Sequence, residues 1–433
     1  MVEHKIANKT VMLPFILVTA LFFFWGVPNN LNDILIKQFM KSFELSRFEA
    51  ALLQSAFYAG YFCLSLPAAM IMKKFSYKTG LVTGLFLFSI GTFLFYPAAI
   101  VGKFEFFLFA LFVIASGLAF LETGANSFIS VLGDPESSER RLNFSQAFNP
   151  IGAIAGALIG TFFIFSGVEL SAVQVAQMKA VGTYQSYLNS ETMRVVAPYM
   201  VISVVTFIWA IILIFTKFPH LNDEHIVNGK EEKGSFKELF RFRHFKLGVL
   251  TQFFYVGAQV GTWSYFIVYA QDYVKMAEKT AGYFLAGTLG AFLIGRFSAA
   301  IIMRYVKPNI LMGIYAMINM GLVAIGIVFP GWIGLWAVLI TSFFMSVMFP
   351  TIFALGVKGL GPNTKIGGSM IIMAIIGGAV FTQIMGGIAK ISMAYAMIVP
   401  LLCYAFICYY SFIGSKPKGP IYEGNYGKVV GSH

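Results

Sequence analysis

Twelve apolar runs, each close to the ~20 residues a helix needs to cross a bilayer, constrain this chain more than any other feature. They cover approximately 12–36, 49–72, 79–100, 104–132, 141–166, 196–216, 244–270, 278–304, 309–329, 332–358, 364–390 and 392–414. Charge content agrees: only 12% of the 433 residues are charged, about half the roughly 25% of a soluble domain, too few to cover a globule of this length. The 47 Phe and 42 Gly suit lipid-facing surfaces and close helix contacts. The fold class expected is an all-α membrane protein with twelve transmembrane helices.

The longest polar stretch between the early and late runs is 217–243, which contains Lys230-Glu231-Glu232-Lys233. It divides the chain into an N-terminal six-helix bundle (1–216), an inter-bundle loop (217–243), a C-terminal six-helix bundle (244–414) and a tail (415–433). The halves echo each other. Ala69-Met70-Ile71-Met72-Lys73-Lys74-Phe75 closes the second run and Ala300-Ile301-Ile302-Met303-Arg304-Tyr305-Val306 closes the eighth, at an offset of 231 residues. Basic residues closing the same helix in each half indicate parallel six-helix repeats.

With both termini inside, 21 of the 31 Lys and Arg fall on the cytoplasmic side and 9 on the other, with Arg296 within a run. That bias places both termini in the cytoplasm by the positive-inside rule. The net charge of +12 is spread over short segments between apolar runs, so it reads as topology signal and contact with anionic lipids rather than nucleic-acid binding. Cys63, Cys403 and Cys408 lie dispersed in apolar runs and form neither a disulfide framework nor a metal spacing. Gly152-Ala153-Ile154-Ala155-Gly156 and Gly386-Gly387 lack a following Lys-Ser/Thr and read as helix-packing segments, not phosphate loops. No nucleophile elbow, His cluster or cofactor motif is present, which argues against an enzyme.

The acidic inventory is the most informative. Of 19 Asp and Glu, Asp33 and Glu122 are the two expected inside the runs away from their ends. A carboxylate at the bilayer centre costs at least ~2.5 kcal/mol, and burial raises its pKa, so each is a candidate reversible proton carrier. The competing reading is a fixed salt bridge with Arg296. Around Asp33, Asn29 and Asn30 sit at i−4 and i−3 on its helical face, and Pro28 just ahead is placed to kink the helix. Glu122 has Asn126 at i+4. The fifth run offers Asn143, Gln146 and Asn149 at three-residue steps. The seventh offers Gln252, Tyr255 and Gln259, then Trp263. Each amide could be interhelical glue. Four polar stripes together fit a shared cavity for a polyhydroxylated solute, in which amides meet hydroxyls and flat rings meet C–H faces.

At these stripes the chain resembles the fucose–glucose–galactose permease family of the major facilitator superfamily, most of all its L-fucose–proton symporter branch. The carrying segments are Asn29-Asn30-Leu31-Asn32-Asp33-Ile34-Leu35, Leu121-Glu122-Thr123-Gly124-Ala125-Asn126, Leu142-Asn143-Phe144-Ser145-Gln146-Ala147-Phe148-Asn149 and Tyr255-Val256-Gly257-Ala258-Gln259. The resemblance implies the major facilitator fold in a bacterial inner membrane and a monomeric importer of a neutral monosaccharide working by alternating access. It implies cation coupling through Asp33 and Glu122, with a proton favoured over sodium, and sugar contacts from Gln146 and Asn149. Asn30, Asn126, Gln252, Tyr255, Gln259 and Trp263 complete the candidate substrate set; no metal or cofactor is implied. Two features depart from the family's pattern. Ser127 stands where the family often has Pro, and the loop from Met70 to Lys78 lacks the superfamily's acidic residue. Sodium-coupled glucose carriers in the same family keep a second cation reading open.

The charge bias predicts that a reporter fused to the C-terminus is active only in the cytoplasm. Activity of that fusion on the opposite face would contradict the twelve-span topology.

Overall fold

In hydrocarbon every backbone N–H and C=O needs an internal partner, so an apolar chain of this kind is held in helices. The computed structural model describes residues 9–45, 47–166, 168, 170–219, 226–227, 230–231 and 235–417. In chain order the first helices are α1 (Lys9–Ser42), α2 (Arg47–Lys74), α3 (Tyr77–Phe93), α4 (Phe95–Val101), α5 (Phe104–Val131), α6 (Ser138–Gln146), α7 (Phe148–Ile159), α8 (Ala172–Val181), α9 (Tyr184–Met193) and α10 (Val196–Phe215). A two-residue hairpin, β1 (Ile226–Val227) with β2 (Lys230–Glu231), pairs Val227 with Lys230 in the polar stretch. There follow α11 (Phe236–Leu239), α12 (Arg243–Val274), α13 (Glu278–Ile302), α14 (Pro308–Val328), α15 (Trp332–Met345) and α16 (Met348–Val357). The last are α17 (Thr364–Met373), α18 (Gly377–Ala389), α19 (Met393–Ala396) and α20 (Ile398–Tyr409).

Among the described residues, 11 helical stretches are long and apolar enough to cross a membrane. The twelfth run expected, 244–270, forms the 32-residue α12, about 48 Å at ~1.5 Å per residue. It is long enough to span but less apolar than the others, because Thr251, Gln252, Gln259, Thr262 and Ser264 interrupt it. Two further differences concern helix continuity. α1 runs as helix straight through Pro28, whereas the fifth run is broken at Ala147 between α6 and α7.

The described chain gathers into two compact units. One is formed from Ile16–Gly124 and Ile151–Lys217. The other contains Met1–Phe15, Ala125–Pro150 and Phe218–His433. The division at 217/218 lies at the start of the polar stretch, but Ala125–Pro150 clusters with the C-terminal part. Polar side chains explain this: Lys358 Nζ bonds Glu139 Oε1 at 3.1 Å and Asn143 Nδ2 donates to Thr351 Oγ1 at 3.1 Å.

Each unit shows the same pattern of close helix contact through glycine. In the first, a Cβ on Gly152 would collide with the Phe23 carbonyl, one on Gly156 with the Val27 carbonyl and one on Gly160 with Ile34. α7 and the turn after it therefore lie directly on α1, in parallel and in register. In the second, Gly377 meets the Phe253 carbonyl, Gly257 meets Phe381 and Gly261 meets Met385, so α12 and α18 pair in the same parallel sense. Gly60 of α2 sits against the Phe112 carbonyl and Ser116 of α5; Gly295 of α13 sits against the Phe343 carbonyl and Ser346. Phe112 and Phe343 are 231 residues apart, the offset read from the sequence repeat. Small residues at these crossings replace the hydrophobic drive that lipid removes.

Candidate functional site

Two prolines, Pro150 and Pro350, stand four residues after Gln146 and Ser346 and have no N–H for their carbonyls, which creates the need that one guanidinium meets. A helix end leaves carbonyls without intrahelical partners, and in an apolar interior each such group is costly. The break at Ala147 follows Gln146, and the break between α15 and α16 follows Ser346. Arg296, 4% exposed on α13, lies at both. Its Nη1 donates to the Gln146 carbonyl at 2.7 Å and its Nε to the Ser346 carbonyl at 2.9 Å. Gly295, pressed against Phe343 and Ser346, brings α13 near enough for that reach. The ring of Phe292, 4.7 Å from the guanidinium carbon, covers one face of the cation.

From Arg296 a side-chain chain follows. Nη1 also donates to Gln146 Oε1 at 3.1 Å, and Gln146 Nε2 donates to Asn126 Oδ1 at 2.7 Å. Both ends of the Gln146 amide are thereby oriented: its oxygen accepts from a cation and its nitrogen keeps one N–H for another acceptor. All three side chains are buried. Among the bonds of Arg296 are those to two carbonyls and an amide oxygen.

The other candidates of this unit divide by exposure. Tyr255 and Gln252 are fully buried on α12, and neither the Tyr255 hydroxyl nor either polar atom of Gln252 has a partner in hydrogen-bond geometry. Gln259 and Trp263, further along α12, are half-buried, as is Asn149 on α7. Trp263 Nε1 donates to Ser342 Oγ at 3.1 Å and its ring meets Phe292 edge-on at 5.1 Å. Asn149 lies beyond the Ala147 break, so the three-residue stripe Asn143–Gln146–Asn149 is divided. Asn143 turns to Thr351, Gln146 to Arg296 and Asn126, and Asn149 is the member left partly accessible.

In the unit built on Ile16–Gly124 and Ile151–Lys217, Glu122 is 7% exposed on α5, and the Tyr61 hydroxyl of α2 faces its carboxyl within hydrogen-bonding reach. Asn32 Nδ2 donates to Gln54 Oε1 at 3.0 Å, tying α1 to α2. Asn30 is half-buried. The side chain of Asp33 lies outside the described residues; its backbone continues α1.

Several participants escaped the sequence reading. Gln54, Tyr58 and Tyr61 stand at i, i+4 and i+7 on α2, a stripe that helical spacing could have revealed. Glu139 and Glu191, just outside the runs 141–166 and 196–216, are buried acids that the sequence reading did not single out. Both carboxylates are nearly inaccessible and lie within apolar helical stretches. Glu139 pairs with Lys358, and Glu191 with Lys41 at 3.0 Å while accepting from Gln38 Nε2 at 3.1 Å. Position near the end of a run made them look like loop charges, and pairing across more than a hundred residues is not visible locally.

Comparison with known proteins shows the family. The profile of the Major Facilitator Superfamily matches residues 14–382. The chain belongs to that superfamily. An L-fucose-proton symporter of Escherichia coli (strain K12) is 41% identical over 407 residues, covering 92% of each chain. A glucose/galactose transporter of Brucella abortus biovar 1 (strain 9-941) is 35% identical over 402 residues, with 92% of this chain and 93% of that one covered. The crystal structure of a superfamily transporter in the outward conformation matches with a TM-score of 0.86 at 41% identity, covering 94% of this chain and all of that one. A proton:xylose symporter structure matches at 13% identity and a TM-score of 0.68, which shows the fold alone. The chain is thus a multi-pass membrane protein of the fucose and glucose/galactose branch of superfamily sugar transporters, not an enzyme.

Arg296→Lys keeps the charge but cannot serve the carbonyls of two helix breaks as a fork does. It is expected to lower the melting temperature in detergent by the equivalent of ~1–3 kcal/mol, the usual cost of unmade buried hydrogen bonds. Arg304→Lys, at an exposed position, is the control. Equal melting temperatures for the two variants would contradict the clasp.

Proposed function

We propose that this transporter imports a neutral monosaccharide of the L-fucose type together with a proton, by alternating access, as a monomer in a bacterial inner membrane with both termini cytoplasmic. The 41% identity to an L-fucose-proton symporter over nearly the whole chain carries this reading. Glu122, buried beside a phenol hydroxyl, supports the proton over a metal cation, since a carboxyl in a low-dielectric surrounding takes up a proton readily. Asp33 is assigned the coupling role with it. The amides of Asn30, Asn126, Gln146, Asn149, Gln252 and Gln259, with Tyr255 and Trp263, form the proposed sugar set.

A neutral sugar moving with one proton carries one net charge, worth ~2.3 kcal/mol per 100 mV of membrane potential, which alone sustains more than tenfold accumulation. A second reading is a glucose/galactose carrier, favoured by the 35% identical relative of that description; a sodium-coupled cycle belongs with it.

Uptake of labelled L-fucose, D-glucose and D-galactose into proteoliposomes, with proton and sodium gradients imposed separately, tests the proposal. L-fucose uptake driven by the proton gradient is expected. Asp33→Asn, which mimics a carboxyl that never releases its proton, should keep sugar–sugar exchange and lose uphill accumulation. Accumulation by Asp33→Asn under a proton gradient, or wild-type uptake that follows sodium and ignores pH, would overturn proton coupling through this residue.

A further inference from the structure

The short segment that leads into α12 combines positive charge with exposed aromatic surface. Between Ser235 and Lys246 four cations, Lys237, Arg241, Arg243 and Lys246, stand against one carboxylate, Glu238. That carboxylate is engaged: Glu238 Oε2 accepts from Asn363 Nδ2 at 3.0 Å, in the turn Gly361–Asn363. Leu239, Phe242 and Phe245 are buried, and Leu239 and Phe245 converge on Gly367 of α17. His244 Nε2 lies 2.8 Å from the Lys358 carbonyl oxygen. These contacts hold the segment against the body of its unit. Phe236 and Phe240, one helical turn apart with ring centroids separated by 5.6 Å, are by contrast 45% and 48% exposed. Lys237, Arg241 and Lys246 are exposed as well, and among the described residues none of the four cations forms an ion pair. Arg243 is oriented by the Tyr409 hydroxyl of α20, to which its Nη2 donates at 3.0 Å.

We propose that this segment is a membrane anchor, in which the four cations bind the headgroup of an anionic phospholipid and Phe236 and Phe240 enter the apolar side of the interface. Its position argues for lipid. With 32 residues, α12 is about 48 Å long, against a hydrocarbon core of ~30 Å, so the end that carries Arg243 and Lys246 reaches the headgroup layer. Leu250, two turns further along α12, and Tyr409 beside Arg243 are exposed and continue the apolar surface towards the hydrocarbon. Charge argues for an anionic headgroup. Arginine forks match phosphate oxygens in geometry, and each Lys or Arg close to an anionic leaflet strengthens attachment about fivefold. Exposed rings beside cations form the pattern of a segment that lies in the interface plane. Glu238, Leu239 and Phe242 supply the fixed footing from which the rings and cations face the lipid.

Lipid binding by the full-length protein, purified in maltoside, tests this. Native mass spectrometry, with dioleoylphosphatidylglycerol and dioleoylphosphatidylcholine titrated separately, should show tighter phosphatidylglycerol binding by the wild type. Lys237→Gln with Arg241→Gln should weaken phosphatidylglycerol binding about ten- to thirtyfold. Arg304→Gln with Lys307→Gln, which removes two exposed charges elsewhere on the chain, should change it less than about twofold. Phe236→Ser with Phe240→Ser leaves the charge intact and should weaken it at least about threefold. Equal affinity of the wild type for the two lipids would overturn the anchor and leave the face to a protein partner. Equal losses in the two charge pairs, or no loss with Lys237→Gln and Arg241→Gln, would overturn it in favour of unspecific attraction. Full binding by the phenylalanine pair would overturn it too, since a phosphate site alone needs no rings.

Discussion

A membrane interior supplies no water to a broken helix, and much of this structure follows from how the chain meets that constraint at Ala147 and Ser346. Both breaks expose carbonyls, and Arg296 donates to the residue before the first and to Ser346 at the second. A guanidinium suits the task because its donors are fixed in a plane and its charge is delocalised. The same cation orients Gln146, which orients Asn126. An ordered amide is thus a by-product of repairing the backbone. The backbone keeps right-handed helical angles at Ala147, Ser346 and Val347, and the arginine satisfies the carbonyls that Pro150 and Pro350 leave without a donor.

Glycine supplies the complementary half of the design. Where helices must approach too closely for a Cβ, as at Gly152, Gly156, Gly377 and Gly295, the partner across the contact is a carbonyl or the base of a side chain. The contacts of α1 with α7 and of α12 with α18 run in the same sense, and those at Gly60 and Gly295 meet equivalent residues. The same helical plan, with small residues at its crossings, thus recurs in both halves of the chain. The polar candidates sit on the helices these contacts fix, chiefly α1, α5, α7 and α12.

Much of this was legible in the residues. The apolar runs gave the helices, with α12 as the instructive exception: the glutamines that marked it as a site helix are what make it the least apolar. Asn126 and Gln146 were singled out by spacing, and they bond each other. The free carbonyls were marked in the sequence by Pro150 and Pro350, four residues after Gln146 and Ser346 and without an N–H to donate; what spacing could not give was that Arg296 is the group that reaches both. Nor could it give Glu139 and Glu191 as buried acids. Their burial depends on Lys358 and Lys41, 219 residues away in one case. Tyr61 beside Glu122 was within reach of helical periodicity but was hidden among the many aromatics of α2.

In the proposed cycle Glu122, buried on α5 with the Tyr61 phenol facing it, takes up and releases the proton that moves with the sugar. The most direct measurement is the pH outside de-energised, sodium-free vesicles when sugar is added. A proton symporter removes protons from the medium as sugar enters, so a transient alkalinisation is expected on adding L-fucose, abolished by a proton-conducting uncoupler. Sugar entry with no pH change, or a response that requires added sodium, would contradict the account.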